Sequence, residues 1–457
     1  MAREFSEEDA FVLKFGGGIH SRASEDEIDV RECMEGKNFQ LDFQNLEYRN
    51  RQPFDRIGTV PNGGEIRGFA TLNDSLNNVS FLVQADDKVY EWDGGTTFTD
   101  KGTVNSSARL RGRLDHNWLL DDLVLITDLE LAEEVYEWDG TTLSKTSFVD
   151  ETDSSFGSFK AKYCFISNER AIFANTDDGT ATPHLIVGSE RGDYDQITVS
   201  NRPSSSLGAA DPFFLIQPDY RPINGLVSSF GKTVTSSEQG ALFILNGESA
   251  EDFAFRELFP RSFASGDESI AYVGNDIFYG RQGRVESVEA TDQFGDVENN
   301  DLSVDISDAI ATYKDWTTVY NSRTNQVFFF PDGIEEVWVF HKPLQNAELS
   351  PWSRWETFHP LSFKPTAVMN ALDPADGLEY IFMGDNEGNL FRLEGSGLKG
   401  DGGTNDIEVE RLSKLFSAQL DGEIFNIQGQ VKWRKGDPQT LTLTFEYAGE
   451  SVFNESI

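Results

Sequence analysis

Five histidines, His20, His116, His184, His341 and His359, are the side chains best suited to proton transfer or metal binding near neutral pH. None of them forms an HExxH pair or another metal-binding spacing. Histidines scattered in this way are expected to be structural or solvated. Gly231-Lys232-Thr233 ends like a phosphate-binding loop. Such a loop needs a second glycine five positions earlier, so that backbone amides can wrap a phosphate, and that position holds Leu226. There is no Gly-x-Ser-x-Gly turn to expose a serine nucleophile.

Oxygen chemistry is better supplied. Any two of the 78 acidic residues could form the carboxyl pair of a glycoside hydrolase. Asp385-Asn386-Glu387-Gly388-Asn389 and Asp177-Asp178-Gly179 carry the oxygen donors that suit Ca²⁺. Tight turns select the same residues, and plain turns are the expectation. Tyr90, Trp92, Tyr136 and Trp138 could stack on a sugar, but their places in strands make them core candidates. The sequence thus assigns no catalytic, cofactor-binding or metal-binding residue. The expectation is a protein that is not an enzyme and carries no cofactor.

The elements that position these residues follow from a repeat. Val89-Tyr90-Glu91-Trp92-Asp93-Gly94 returns as Val135-Tyr136-Glu137-Trp138-Asp139-Gly140. Each copy follows an apolar run, Phe81-Leu82-Val83 or Leu123-Val124-Leu125-Ile126, and precedes Thr-rich alternation. Apolar and polar residues alternate as in a strand with one buried face. Asp-Gly supplies the positive φ of a tight hairpin turn. A strand-rich period of roughly 40 to 50 residues indicates propeller blades, none of which can bury its faces alone.

The expected fold class is all-β, a β-propeller of six or seven blades. Candidate blades run near 66–105, 108–150, 157–200, 222–262, 267–312, 314–360 and 363–396. Two stretches break the rhythm. Arg202 to Pro222, with Pro203, Pro212 and Pro218, reads as an excursion between blades. Asp292 to Ala311 reads as a second, with a short helix near Ile306 to Ile310. The expected domains are an N-terminal arm and strand segment (1–60), the propeller (61–396), and a linker with a small C-terminal β-hairpin or sandwich element (397–457). In that last element, Phe425 to Trp433 and Leu441 to Tyr447 should pair as a hairpin across Lys435-Gly436-Asp437-Pro438.

Composition narrows the partners. The chain of 457 residues has 38 basic and 78 acidic residues, a net charge of −40 spread along its length. Such a surface repels phosphate backbones and disfavours tight nucleic-acid binding. It would also let DNA slide along it without sticking. Thirty-six Phe against 4 Met put aromatic rings in the core. No apolar run approaches the ~18 residues of a membrane span, and the acidic opening from Met1 to Asp9 lacks the apolar core of a secretion signal. Cys33 and Cys164 suggest two reduced thiols rather than a disulfide framework.

Several phrases carry a family resemblance. The opening runs through Gly16-Gly17-Gly18, an acidic patch at Ser24-Glu25-Asp26-Glu27, and a strand to Arg51-Gln52-Pro53-Phe54. The excursion contains Asp301-Leu302-Ser303 before its short helix, and Trp352-Ser353-Arg354-Trp355 closes a blade. These phrases resemble those of tail nozzle and hub proteins of tailed bacteriophages, the tail tubular protein B-like family. The family phrase carries a glycine after its proline, where this chain has Phe54. The resemblance implies a virion structural protein in the phage tail, made in the host cytoplasm. It implies a homo-oligomeric ring, expected to be a hexamer, that forms the genome-exit channel and contacts portal, adaptor and tail fibre proteins. DNA would pass through without specific binding, and no membrane span is expected. The alternatives are a host receptor or glycan-binding propeller, or a propeller glycoside hydrolase.

Overall fold

The computed structural model describes residues 18–22, 33–42, 47–51, 53–74, 76–112, 123–150, 158–198, 208–229, 232–274, 276–290, 297–345, 349–356, 364–393, 410–413, 442–447 and 450–456. Nearly all their regular structure is strand, and the α-helix among them is the single turn Ser307–Ile310. The protein is all-β.

Most strands fall into antiparallel four-strand units in chain order, here called blades. Blade 1 is Ile66–Asn73, Val79–Ala85, Lys88–Trp92 and Phe98–Thr103. Blade 2 is Leu110–Gly112, Val124–Asp128, Tyr136–Trp138 and Leu143–Lys145. Blade 3 is Lys160–Ser167, Arg170–Asp177, Ala181–Gly188 and Phe213–Ile216. Blade 4 is Ile223–Ser229, Lys232–Ser237, Ala241–Asn246 and Ala254–Pro260. Blade 5 is Ile270–Val273, Asp276–Arg281, Arg284–Ala290 and Val297–Asp301. Blade 6 is Trp316–Asn321, Gln326–Pro331, Glu336–His341 and Trp352–Glu356. Blade 7 is Ala367–Leu372, Glu379–Gly384, Asn389–Leu393 and, from the other end of the chain, Phe54–Thr59. Blades 1 and 2 share one eight-stranded sheet because their first strands pair in parallel, Phe69 opposite Arg111 and Ala70 opposite Gly112.

Hairpins form where the sequence permits positive φ. In the repeated phrase, Gly94 and Gly140 sit at φ +80° and +85°. Asp93 and Asp139 close the two turns by accepting hydrogen bonds from Gly95 N (2.8 Å) and Thr141 N (2.8 Å). Middle strands are buried on both faces, as in Gln326–Pro331, where every residue is buried. That burial comes from stacking sheet on sheet.

The apolar core of the described residues divides into seven clusters, and each fills the space between two consecutive blades. Leu82 and Val89 of blade 1 meet Ile126 and Trp138 of blade 2. Phe328 and Trp355 of blade 6 meet Ile381 and Phe391 of blade 7. Blade 7 returns to blade 1, with Phe382 and Phe81 at a centroid distance of 4.7 Å. The succession closes into a ring, which is the propeller. Each large side chain so buried contributes about 1.5–3 kcal/mol relative to exposure, so removing one blade strips two neighbours of their cover.

Strand order corrects several expectations. Phe213–Ile216 lies in the stretch read as the first excursion, yet it is the outer strand of blade 3, with Leu185 opposite Ile216. Val297–Asp301, in the second stretch, is the outer strand of blade 5 and falls inside the span 267–312 expected for that blade, with Val288 opposite Asn299. Val297–Asp301 is polar, while Phe213–Ile216 is apolar, with Phe213 in the core, and is flanked by Pro212 and Pro218. The N-terminal region is more than an extended arm. Phe54–Thr59 completes blade 7, with Phe54 opposite Leu393, and Ile19, Cys33, Phe39 and Leu41 are buried in the cluster between blades 5 and 6.

The C-terminal boundary also moves. Glu410–Ser413 pairs with Cys33–Lys37, and the chain divides into two compact units, Met1–Leu415 and Phe416–Ile457. Within the second unit, Thr442–Tyr447 pairs with Glu450–Ser456. The expected pairing with 425–433 lies outside the described residues.

Candidate functional site

Around the ring the first strands of neighbouring blades lie side by side; in blade 2 the second strand touches blade 3. The first strands therefore surround the axis. Blades 2 and 5 stand three places apart, so a side chain of one reaches the other only across the bore. Arg111, in the first strand of blade 2, does so. Its Nε donates to Glu268 Oε1 and its Nη2 to Glu268 Oε2 at 2.5 Å. The fork of guanidinium against carboxylate is the strong bidentate form of this bond. Both side chains are nearly buried, 7% and 11% exposed.

Glu268 also ties in other blades. Its backbone carbonyl accepts from Thr318 N of blade 6 at 2.8 Å, and Arg109 Nη2 lies 3.8 Å from its Oε2. Beside it, Asp267 accepts from Lys162 Nζ at 3.3 Å and from the Tyr163 hydroxyl at 2.9 Å, both in blade 3. Burial, and then the Asp267 carboxylate, hold the Tyr163 hydroxyl well above its usual range. Burial, with Asp332 and Asp267 facing it, pushes the Asp315 carboxyl up. Around the axis, then, opposite charges join blades 2 and 3 to the segment that leads into blade 5, and a backbone hydrogen bond adds blade 6. These residues went unassigned in the sequence because the partners are far apart in the chain. The available signal was ionic residues on or just before apolar first strands.

The residues singled out by type lie elsewhere. His341 is buried between Gln326 (3.2 Å) and Ser353 (3.0 Å), and burial takes its pKa down to about 3. His20 lies 3.7 Å from Asp305, and His184 stands beside the ring of Tyr220. His116, His359 and Gly231 lie outside the described residues. Lys232 Nζ donates to Asn246 Oδ1 at 2.7 Å. Tyr90, Trp92, Tyr136 and Trp138 are all buried in the core, as their strand positions implied. Asp385 accepts through Oδ1 from Glu387 N (2.9 Å) and Asn389 N (2.7 Å) and through Oδ2 from Asn389 Nδ2 (2.7 Å), and Asp177 accepts from Gly179 N (2.9 Å). Those carboxylates close their own turns. Cys33 and Cys164 are buried and unbridged, and burial pushes the Cys164 thiol up. Among the described residues no group of three or more His, Cys, Asp or Glu is placed to hold a metal ion. No helix among them is long and apolar enough to cross a membrane.

A second constellation lies at the outer edge of blade 6. Its last strand, Trp352–Glu356, would expose unpaired backbone, a hazard that folded proteins cover. The N-terminal segment covers it. Gly18 N donates to Ser350 O (2.6 Å), Ile19 N to Trp352 O (2.8 Å) and Asn38 N to Arg354 O (2.8 Å). A Cβ at Gly18 would collide with the carbonyl oxygens of Trp352 and Ser350, so only glycine permits this approach. Arg51 donates to Asn38 Oδ1 (3.0 Å) and Glu356 O (3.1 Å), and its guanidinium lies 4.8 Å from the centre of the Phe54 ring. Trp352 Nε1 donates to Leu302 O at 2.8 Å, and Trp355 Nε1 to Phe39 O at 2.6 Å. Ser303 Oγ accepts from Val285 N at 3.1 Å, and Ser21 N donates to Asp305 O at 2.8 Å. Gly18, Arg51, Leu302-Ser303 and Trp352 to Trp355, distant in the chain, are therefore one bonded structure.

No family model matches the chain, and no curated protein matches it. Among solved structures it is similar in shape to virginiamycin B lyase from Staphylococcus aureus, with 8% identity, a TM-score of 0.48, and coverage of 74% of this chain and 98% of that one. It is similar to YCF48 from Cyanidioschyzon merolae, with 11% identity, a TM-score of 0.45, and coverage of 75% and 98%. It is also similar to the WD40 domain of Toxoplasma gondii coronin, with 8% identity, a TM-score of 0.42, and coverage of 75% and 83%.

Proposed function

We propose that this chain is a structural subunit of a bacteriophage tail nozzle or hub, assembled with its own copies into a ring around the genome-exit path. One observation carries the reading. The phrases that resemble that family, around Gly18, Arg51, Leu302-Ser303 and Trp352 to Trp355, come together in a single bonded seam. Phrases so far apart have no common reason to recur unless the seam they build is itself retained. The axis suits the same role. Its bore is crossed by paired charges, so the propeller serves as a wall and any passage runs between copies. A net charge of −40 would keep DNA mobile along that wall.

In this reading the ring is a hexamer that contacts portal, adaptor and fibre proteins and resides in the virion tail. The test is to find the protein in purified particles by mass spectrometry and to place it by electron microscopy. A ring in the tail is the expected result. A strict monomer absent from mature particles would sink the reading. The glycan-binding alternative has lost the four aromatic residues first considered for it, since all four are core.

A further inference from the structure

Eight large apolar side chains are exposed among the described residues, and of these only Ile216, ending a strand, and Tyr220, in the loop that follows it, lie close together in the chain. Tyr220 is 68% exposed and Ile216 43%. The loop runs from the outer strand of blade 3 into the first strand of blade 4, and it is stiff. Pro218 and Pro222 flank Tyr220. Tyr220 N donates to Gln217 O at 3.0 Å, closing a turn. Gln217 is fully buried; its backbone N–H donates to His184 O (2.9 Å), its side-chain Nε2 donates to Asp219 Oδ1 (3.1 Å) and its Oε1 accepts from Thr235 Oγ1 (2.8 Å). Asp219 accepts from Arg221 N (3.2 Å) and from Ser237 Oγ (2.5 Å). The outcome is an aromatic residue held at φ +55°, in the left-handed region. Side chains other than Gly, Asn and Asp rarely adopt that conformation unless their surroundings impose it, and such outliers gather at functional positions. A rigid exposed tyrosine beside an aliphatic neighbour is the composition of an interface anchor that loses little freedom on binding.

We propose that the Ile216–Tyr220 loop is a contact surface for a second copy of this chain. Charge selects the occupant. A chain with net charge −40 repels its copies over most of its surface. The stretch 213–224 carries one acid, Asp219, and one base, Arg221, and both are bonded within the loop or to blade 4. The exposed Glu238, bonded to Pro222 and Arg221, is the acid beside it, so two copies meet fewer like charges there than on a surface of net charge −40 as a whole. A basic partner or a cation would be drawn elsewhere. The inference rests on the reading that copies of this chain assemble, and it assigns where they touch.

The test uses the full chain in sedimentation velocity over a concentration series. Tyr220→Gly is the decisive variant, because glycine accepts φ +55° without strain and removes the ring. It should unfold at the same or a higher temperature than the wild type while its association weakens at least tenfold. Tyr220→Asp should weaken association at least as much, and Leu76→Ser, an exposed apolar change elsewhere, should leave it unchanged. Tyr220→Gly and Tyr220→Asp assembling like the wild type would overturn this assignment and leave the ring reading standing. A wild type that stays monomeric throughout would overturn both. Loss of binding on a glycan array with assembly intact would give the loop to carbohydrate and overturn the second copy as its occupant.

Discussion

Glu268 answers two guanidinium groups and one backbone amide from opposite sides of the bore. Glu268→Gln keeps the shape but leaves Arg111, itself nearly buried, without its counter-charge. Breaking a buried pair in this one-sided way costs about 3–5 kcal/mol, so urea unfolding should show a loss of that order. Replacing both members with apolar residues should recover much of it, and a cycle of single and double variants measures the difference. His341 gives a pH dependence of known sign. Burial takes its pKa from 6.5 down to about 3, so between those values the unfolded chain holds a proton that the folded chain does not. Stability should fall as pH drops through that window, by up to roughly 1.4 kcal/mol per pH unit. Asp195 works the other way. Burial and then Asp193 raise it to about 6, so the stability its proton confers is lost as pH rises through 6. The His341 share is isolated by comparing His341→Asn with the wild type in unfolding titrations from pH 7 to 4, where the variant should show the shallower slope.

At the scale of elements, most of the propeller was legible and its edges were not. The middle strands announce themselves as apolar runs, as in Gln326–Pro331, because sheets stacked on both sides demand it. The repeated phrase placed Trp92 and Trp138 in the core for the same reason. Val297–Asp301 is polar, and Phe213–Ile216, although apolar with Phe213 buried, stands between Pro212 and Pro218, so their segments read as excursions. The place of Phe54–Thr59 in blade 7 was missed because its partner, Asn389–Leu393, lies at the far end of the propeller sequence. The axial pairs were hidden likewise, since Arg111 and Glu268 are 157 residues apart. The seam over blade 6 makes a prediction at this scale. Gly18→Ala should release the N-terminal segment, seen as faster hydrogen exchange at Ile19 and Asn38 with blades 2 to 4 unchanged. Trp352→Ala removes a fully buried ring and its bond to Leu302, and should cost about 3–5 kcal/mol in denaturant unfolding.

For the whole molecule, charge is the dominant variable. Self-repulsion from −40 net charges opposes the compact state and the approach of copies alike. Added salt screens exposed charges, with a Debye length of about 30 Å at 0.01 M against about 8 Å at 0.15 M, while the nearly buried axial pair is screened far less. Melting temperature and degree of assembly should therefore both rise with sodium chloride over that range, followed by calorimetry and light scattering. The placement of Phe54–Thr59 has one more consequence. A ribosome makes this strand before any other of the propeller, and its sheet partner among the described residues, Asn389–Leu393, is the propeller's last strand to emerge. At about 5–20 residues per second, the early strand waits on the order of tens of seconds. Throughout that time the flank of blade 1 that blade 7 covers in the finished ring is left open to water.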